Sequence, residues 1–389
     1  MKRMIITALI VALTVTAFAQ EFKVTGEVKT GVLWTKTENQ ITPPVEYTSF
    51  NSKDDAGSFA GRFRLNVEYS QNNLGFKARL NWEQWNVTGG APYWAYAFGY
   101  SNLFDDQLTL SAGKLGASPW GTGGPEMWKE LEAVSNTGGI RFEIKPNIVP
   151  GLNAGFVLND FNGSMDTKPA SKPITFLDIL EESVLGVSYT HDLFHIRFAY
   201  RLDSDLDGAR NGASTGKDGG ELVYRVEEYA LKNYLPYFSI WTLGYWTSLG
   251  ADEENRQASF KSENWLFFQY APDLFTAQIR FGYDAIWNRS VFHVKPTFYI
   301  NLFDNFINAG GSFWYAQDFG DGKIFKDSPY SWIEIEPKIQ INFNPSVYAA
   351  IAYNWRTEYV KFTTDHADRG IKEPIKQTQW LNLRVGIIL

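Results

Sequence analysis

The chain has 389 residues, no cysteine, a formal charge of −7, and 29 Phe, 20 Tyr and 14 Trp. Zero cysteines exclude a disulfide scaffold, a thiolate zinc site and a cysteine nucleophile, and the negative charge disfavours nucleic acid as a partner. Mean hydropathy is −0.26 although 44% of residues are hydrophobic, so apolar side chains must alternate with polar ones rather than mass into helical runs.

The first element is an export signal. Residues 1–19 carry Lys2 and Arg3, an apolar run from Met4 to Val15, and Ala17-Phe18-Ala19 ahead of Gln20, which reads as a cleaved signal peptide. Losing Lys2 and Arg3 takes the net charge from −7 to −9. The remainder, 20–389, reads as one domain, and no stretch of it reaches the ~20 consecutive apolar residues of a membrane helix.

From Phe59 onward the residues alternate strictly. Phe63, Leu65, Val67 and Tyr69 share one parity, and Arg62, Arg64, Asn66 and Glu68 the other. After Gln71-Asn72-Asn73, a tight hairpin, the parity inverts: Leu74, Phe76, Ala78, Leu80 and Trp82 oppose Lys77, Arg79, Asn81 and Glu83. The pattern predicts eighteen strands, at 22–35, 59–71, 74–86, 92–102, 107–116, 138–145, 151–159, 183–191, 194–203, 220–232, 237–249, 260–271, 274–287, 290–301, 305–317, 329–343, 346–360 and 376–389. Sixteen is the alternative if two weak strands fail.

Connections alternate in length. Short turns at 71–73, 103–106, 146–150, 192–193, 233–236, 272–273, 302–304 and 344–345 interleave with mostly long polar loops at 36–58, 117–137, 160–182, 204–219, 250–259, 318–328 and 361–375, with 87–91 and 288–289 as short exceptions. A soluble sandwich has no reason to sort loop length by rim, whereas a transmembrane antiparallel β-barrel does, with short periplasmic turns and long extracellular loops. A backbone crossing hydrocarbon must satisfy every N–H and C=O internally, so the first and last strands must pair. Outward aromatics supply two girdles, with Phe22, Tyr69, Phe104, Phe194, Tyr237, Tyr270, Phe275, Phe303 and Phe343 at the short-turn rim and Trp34, Trp82, Trp94 and Trp355 at the other.

The last strand sets Leu381, Leu383, Val385, Ile387 and Leu389 against Asn382, Arg384 and Gly386. Here the chain resembles Gram-negative outer-membrane porins, whose last strand ends in an outward apolar or aromatic residue. That resemblance implies a passive pore in the outer membrane, contact with its lipid, recognition of strand 376–389 by the barrel-assembly machinery, and a homotrimer as one assembly open to the chain. It also implies that loop 117–137, after the fifth strand, folds inward to narrow the pore. Glu126, Glu130 and Glu132 would then face Arg62, Arg64, Lys77 and Arg79 across a transverse field. The alternative is an outward flap. Small residues on the leading strands, Ala95, Ala97 and Gly99, then Thr109, Ser111 and Gly113, are expected inward to make room.

Parity sorts the remaining charge. Inward bases are Lys23, Lys29, Arg62, Arg64, Lys77, Arg79, Arg141, Lys145, Arg197, Arg201, Arg280, Lys295, Lys338, Arg356 and Arg384. Inward acids are Glu27, Glu68, Glu83, Glu143, Asp203, Asp284, Glu334 and Glu336. Fifteen against eight leaves +7, strands 220–232 and 260–271 being left out because inward pairs such as Arg225 with Glu227 and Lys261 with Glu263 cancel; the excess favours anions, with Arg141, Arg197, Arg201, Lys295, Lys338 and Arg384 lining the lumen beyond the constriction. Mutual neutralisation is the alternative.

Weaker signals follow. Asp203, Asp205 and Asp207, ahead of Gly208, match the first half of a calcium loop, but position twelve is Ser214, and a plain exposed turn uses the same residues. His191, His195, His293 and His366 are scattered, with no serine and acid beside them, so the chain is read as no enzyme. Glu228 and Lys114 fall on the lipid face, which predicts a bulge or register slip at each, and Trp265, Phe267, Phe238, Ile240 and Trp246 face either way depending on that register. A non-conducting surface protein or adhesin acting through the long loops is the alternative function.

Overall fold

A computed structural model describes residues 21–39, 43–49, 52–54, 57–59, 62–83, 91–115, 120, 138–159, 183–201, 221–246, 261–286, 289–319, 330–360 and 376–388. The expected signal peptide and most of the expected long loops lie outside these residues. The wall begins with β1 (Glu21–Asn39), followed by three short strands, β2 (Val45–Ser49), β3 (Ser52–Asp54) and β4 (Gly57–Phe59). It continues through β5 (Arg62–Gln71), β6 (Leu74–Glu83), β7 (Tyr93–Leu103), β8 (Leu108–Lys114), β9 (Gly138–Ile144) and β10 (Leu152–Asn159). Next come β11 (Val184–Thr190), β12 (Phe194–Arg201), β13 (Glu221–Glu228), the single turn of helix α1 (Ala230–Tyr234), β14 (Phe238–Trp246) and β15 (Lys261–Tyr270). The chain finishes with β16 (Phe275–Ile286), β17 (Arg289–Leu302), β18 (Ile307–Asp318), β19 (Tyr330–Asn344), β20 (Val347–Val360) and β21 (Lys376–Ile388).

Each wall strand pairs antiparallel with its sequence neighbour, β1 passing over β2–β4 to reach β5. β1 also pairs with β21 from Glu27↔Ile388 to Asn39↔Lys376, which closes an eighteen-stranded barrel as the hydrocarbon argument requires. All eighteen expected strands are present at the expected places. The expected loop 36–58 is partly ordered differently: β1 runs on to Asn39, β2 pairs with its upper half, and β3 and β4 form a hairpin of their own. The expected turn 233–236 instead begins as α1, because Glu228 Oε1 accepts the Leu231 N–H at 2.7 Å and starts a helical turn. That bond also accounts for Glu228 itself, which needs no register slip: β13 pairs with β12 without interruption through Phe194↔Glu228. Lys114 is likewise paired in unbroken register with Ala97 and Gly138.

Parity sets the two faces. Val24, Leu185, Phe198, Ile339, Leu383 and Val385 stand exposed on the outer surface, which is the apolar band a lipid-facing wall needs. Phe104 and Phe303, 72% and 76% exposed, mark the short-turn rim and Trp94, 49% exposed, the other. Two short-rim turns, Phe104-Asp105-Asp106 and Phe303-Asp304-Asn305, run three consecutive residues at positive φ between 53° and 67°. Asp and Asn tolerate this conformation better than other non-glycine residues because their short polar side chains bond locally.

Glycine has a packing role in the sheet. Gly75, Gly244, Gly282 and Gly386 lie directly opposite Tyr100, Tyr224, Trp265 and Tyr348, and in each pair the aromatic ring occupies the space a Cβ would take. Glycine weakens a strand intrinsically, and a ring folded down across it restores buried contact and pins the register.

Candidate functional site

The inner face is built by the parity that puts apolar residues outside. At β1, β5 and β6 one carboxylate serves three bases: Glu27 lies 2.8 Å from Lys29 Nζ, 2.9 Å from Arg62 Nε and 3.5 Å from Arg64 Nη1. Lys77 pairs with Glu68 at 3.8 Å nearer the short-turn rim. Arg79 donates to Asn66 Oδ1 at 2.7 Å and stacks over Tyr96 at 5.1 Å, both uncharged partners. The four bases expected at a constriction therefore do share one patch of wall, but they differ in reach. Arg62 is 7% exposed and held against the wall, while half of the Lys77 pair is open to the lumen.

The adjoining strand, β7, departs from one expectation. A bulge at Ala95 shifts register between Arg79↔Tyr96 and Leu80↔Trp94, so Tyr96, Phe98 and Tyr100 face inward and Ala97 and Gly99 do not. Unbroken alternation predicts the opposite facing, and a one-residue slip moves every side chain to the other face. Thr109 and Ser111 are inward and buried as expected.

The start of the segment 117–137 has one described residue, Trp120. It is fully buried on the inner wall, where its indole covers Gly186 and approaches the Cβ position of Gly155 to 3.0 Å, and its Nε1–H donates to Asn153 Oδ1 at 3.3 Å. Around it Leu115, Val157, Val184, Ala199, Val223, Leu243 and Phe267 form an inward apolar strip, each nearly or fully buried. Glu126, Glu130 and Glu132 lie outside the described residues, as do Asp203, Asp205 and Asp207.

Further round, Trp241 stacks on Phe267 at 4.8 Å and 3°, so Trp265 and Phe267 face inward, while Phe238, Ile240 and Trp246 face outward. His293 bonds Asp284 at 2.8 Å and takes the Trp314 indole N–H at 3.3 Å, inside a ring of Trp265, Trp314 and Trp332. Glu334 and Glu336 both accept from Asn354, at 2.6 and 3.2 Å, and Arg356 reaches Glu334 and Glu358 at 3.7 and 3.2 Å.

Of the other expected lumen residues, Arg141 is 7% exposed and clamped to Glu143 at 2.8 Å. Arg197 bonds His195 at 3.4 Å, Lys295 lies 4.7 Å over Trp314, and Lys338 reaches across Gly310 to Tyr299 at 5.7 Å. Arg201 and Arg384 occupy inward register positions opposite Val184 and Ala350. Sequence reasoning missed the rings under the bases. Six inward bases, Arg79, Arg141, Arg280, Lys295, Lys338 and Arg356, each stand over an aromatic ring at 4.7 to 5.7 Å. Their partners are visible in the sequence only once the pairing of strands is known.

No protein-family model matches the chain, and no curated protein matches it in sequence. Its fold matches solved structures. OpdQ of Pseudomonas aeruginosa aligns at a TM-score of 0.54 and 11% identity, over 96% of this chain and 99% of that one. OccK10 (OpdN) of the same organism aligns at 0.54 and 8%, over 94% and 99%. The outer-membrane channel DcaP of Acinetobacter baumannii aligns at 0.52 and 9%, over 95% and 97%. The shared property is the architecture, a closed antiparallel β-barrel.

Proposed function

We propose that the mature chain is an outer-membrane channel for passive diffusion of small polar solutes, with a mild preference for anions. The observation that carries this reading is the inner face: a closed barrel whose outside is apolar has an inside set with charge, and bases predominate there. A positive wall beside low-dielectric lipid concentrates anions in the lumen. An eighteen-stranded barrel is wide enough for water and solute to pass. The fold shared with DcaP, itself described as an outer-membrane channel, agrees with this reading.

In this proposal segment 117–137 narrows the path, with Glu126, Glu130 and Glu132 opposite Arg64, Lys77 and Arg79, and with Arg62 behind them. Support comes from Trp120, whose seat on the inner wall starts the segment inward rather than outward. The exposed outer band would contact membrane lipid, and strand 376–389 would be presented to the assembly machinery. Calcium at Asp203, Asp205 and Asp207 is a separate proposal, tested by whether chelation alters the purified protein.

Planar-bilayer recording in a salt gradient tests the function. Ohmic current with a reversal potential on the anion side is expected. Absence of current would replace the channel by a surface protein acting through its loops, and a cation-side reversal potential would overturn the charge argument.

A further inference from the structure

We propose that His293, Asp284 and Trp314 form a proton-operated latch in the barrel wall, in which uncharged His293 holds the Trp314 indole and protonation at Nδ1 releases it. The latch goes beyond the channel reading, being a property of the folded wall whether or not current flows.

His293 on β17 stands directly opposite Gly282 on β16 and Ala316 on β18. Neighbours this small leave room for larger side chains to close over the imidazole, which is only 3% exposed. Trp265 stacks on it at 5.1 Å and 26°, and Trp332 lies at 5.3 Å. Both ring nitrogens are engaged, Nε2 with Asp284 Oδ2 at 2.8 Å and Nδ1 with the Trp314 indole Nε1 at 3.3 Å. An indole nitrogen can only donate, so Nδ1 must accept, and the single imidazole proton sits on Nε2, pointed at the carboxylate. The partners thus fix one tautomer of the uncharged ring.

A second proton has one place to go. At Nδ1 it would set two N–H donors head to head, and the bond to Trp314 would be lost. The rest of the surroundings accepts an imidazolium: Asp284 keeps its bond, now assisted by charge, and the stacked face of Trp265 attracts a cation. The charged groups around the ring are Lys295 on its own strand, Asp284 and Arg280 on β16, Glu263 on β15 opposite Asp284, Asp318 on β18 opposite Val291, Glu334 on β19 opposite Trp314, and Arg356 on β20, 4.7 Å over Trp332. Acids and bases both surround it, and the acid in contact is Asp284. The two protonation states therefore differ chiefly at Trp314. Because the Lys295 ammonium stands 4.7 Å over that indole, the latch is linked to a side chain of the inner wall.

The test follows the indole N–H resonances of the full barrel, labelled with nitrogen-15 and folded in detergent micelles, between about pH 8 and about pH 5, the range in which a histidine changes charge. The Trp314 resonance, identified by its absence in Trp314→Phe, should move in a single one-proton step. His293→Gln, which offers the indole an oxygen and cannot titrate, should remove the step. Asp284→Asn should carry the step to lower pH, because the imidazolium loses its carboxylate. A Trp314 resonance that stays put in wild type, or a step that survives in His293→Gln, would overturn the latch, and the wild-type titration decides even if a variant fails to fold. None of these readings needs current, so a failed latch and a failed channel are told apart.

Discussion

Glu27 sits among Lys29, Arg62 and Arg64, so one negative charge holds three positive ones to the wall. Half-buried pairs of this kind decide how much charge the lumen presents, whatever they contribute to stability. Removing the acid while keeping its shape takes one negative charge from among the three bases. Glu27→Gln is therefore expected to move the zero-current potential further toward anions, with the anion-to-cation permeability ratio rising about two- to five-fold, the equivalent of ~0.5–1 kcal/mol. Movement toward cations would show that this cluster lies off the permeation path. The same geometry separates Arg62 from Arg64: Arg62 is buried against Glu27, and Arg64 is the more open of the two.

Whole strands were legible in the sequence because alternation is a local property of a chain with lipid on one side and water on the other. All eighteen could be placed from parity alone, and the short-turn rim followed from turn residues such as Asn72 and Asn73. What parity could not show is where it breaks. The bulge at Ala95 exists because of how β7 must fit β6, and nothing in Tyr93 to Leu103 announces it. The rings beneath the inward bases were hidden for the same reason, since Phe267 meets Arg280, and Tyr299 meets Lys338, only through pairing across strands. Register also makes the glycine and aromatic pairs testable. At Gly282 a methyl group would meet the Trp265 indole at 2.8 Å, and that ring cannot slide, being packed on His293 at 5.1 Å and Phe267 at 6.3 Å. Gly282→Ala should thus destabilise the barrel by ~1–3 kcal/mol through overpacking. Gly99→Ala, whose methyl would meet only the Gly75 carbonyl at 3.7 Å, should leave stability nearly unchanged. Denaturant midpoints in detergent, followed by tryptophan fluorescence, distinguish the two, and equal midpoints would refute the packing role.

At the scale of the molecule, closure and permeability pull in different directions. Pairing β1 with β21 removes every sheet edge from the bilayer, but eighteen strands enclose more space than their own side chains fill. Something inside must set the passage. The inward strip from Val157 to Phe267 is buried rather than wetted, so on that side the wall is already covered, and Trp120 is the described residue of segment 117–137 that covers it. Its indole donates to Asn153 and packs against two glycines that leave room for it. Truncating a buried tryptophan typically costs ~3–5 kcal/mol, enough to release whatever it pins. If segment 117–137 narrows the path, Trp120→Ala will raise single-channel conductance and open-channel noise together, while Trp120→Phe, which still fills the hollow over Gly186, will stay near wild type. Conductance and noise that are indifferent to both substitutions would mean that the passage is set by the wall itself, and the bases from Arg64 to Arg79 would then act without an opposing acidic row.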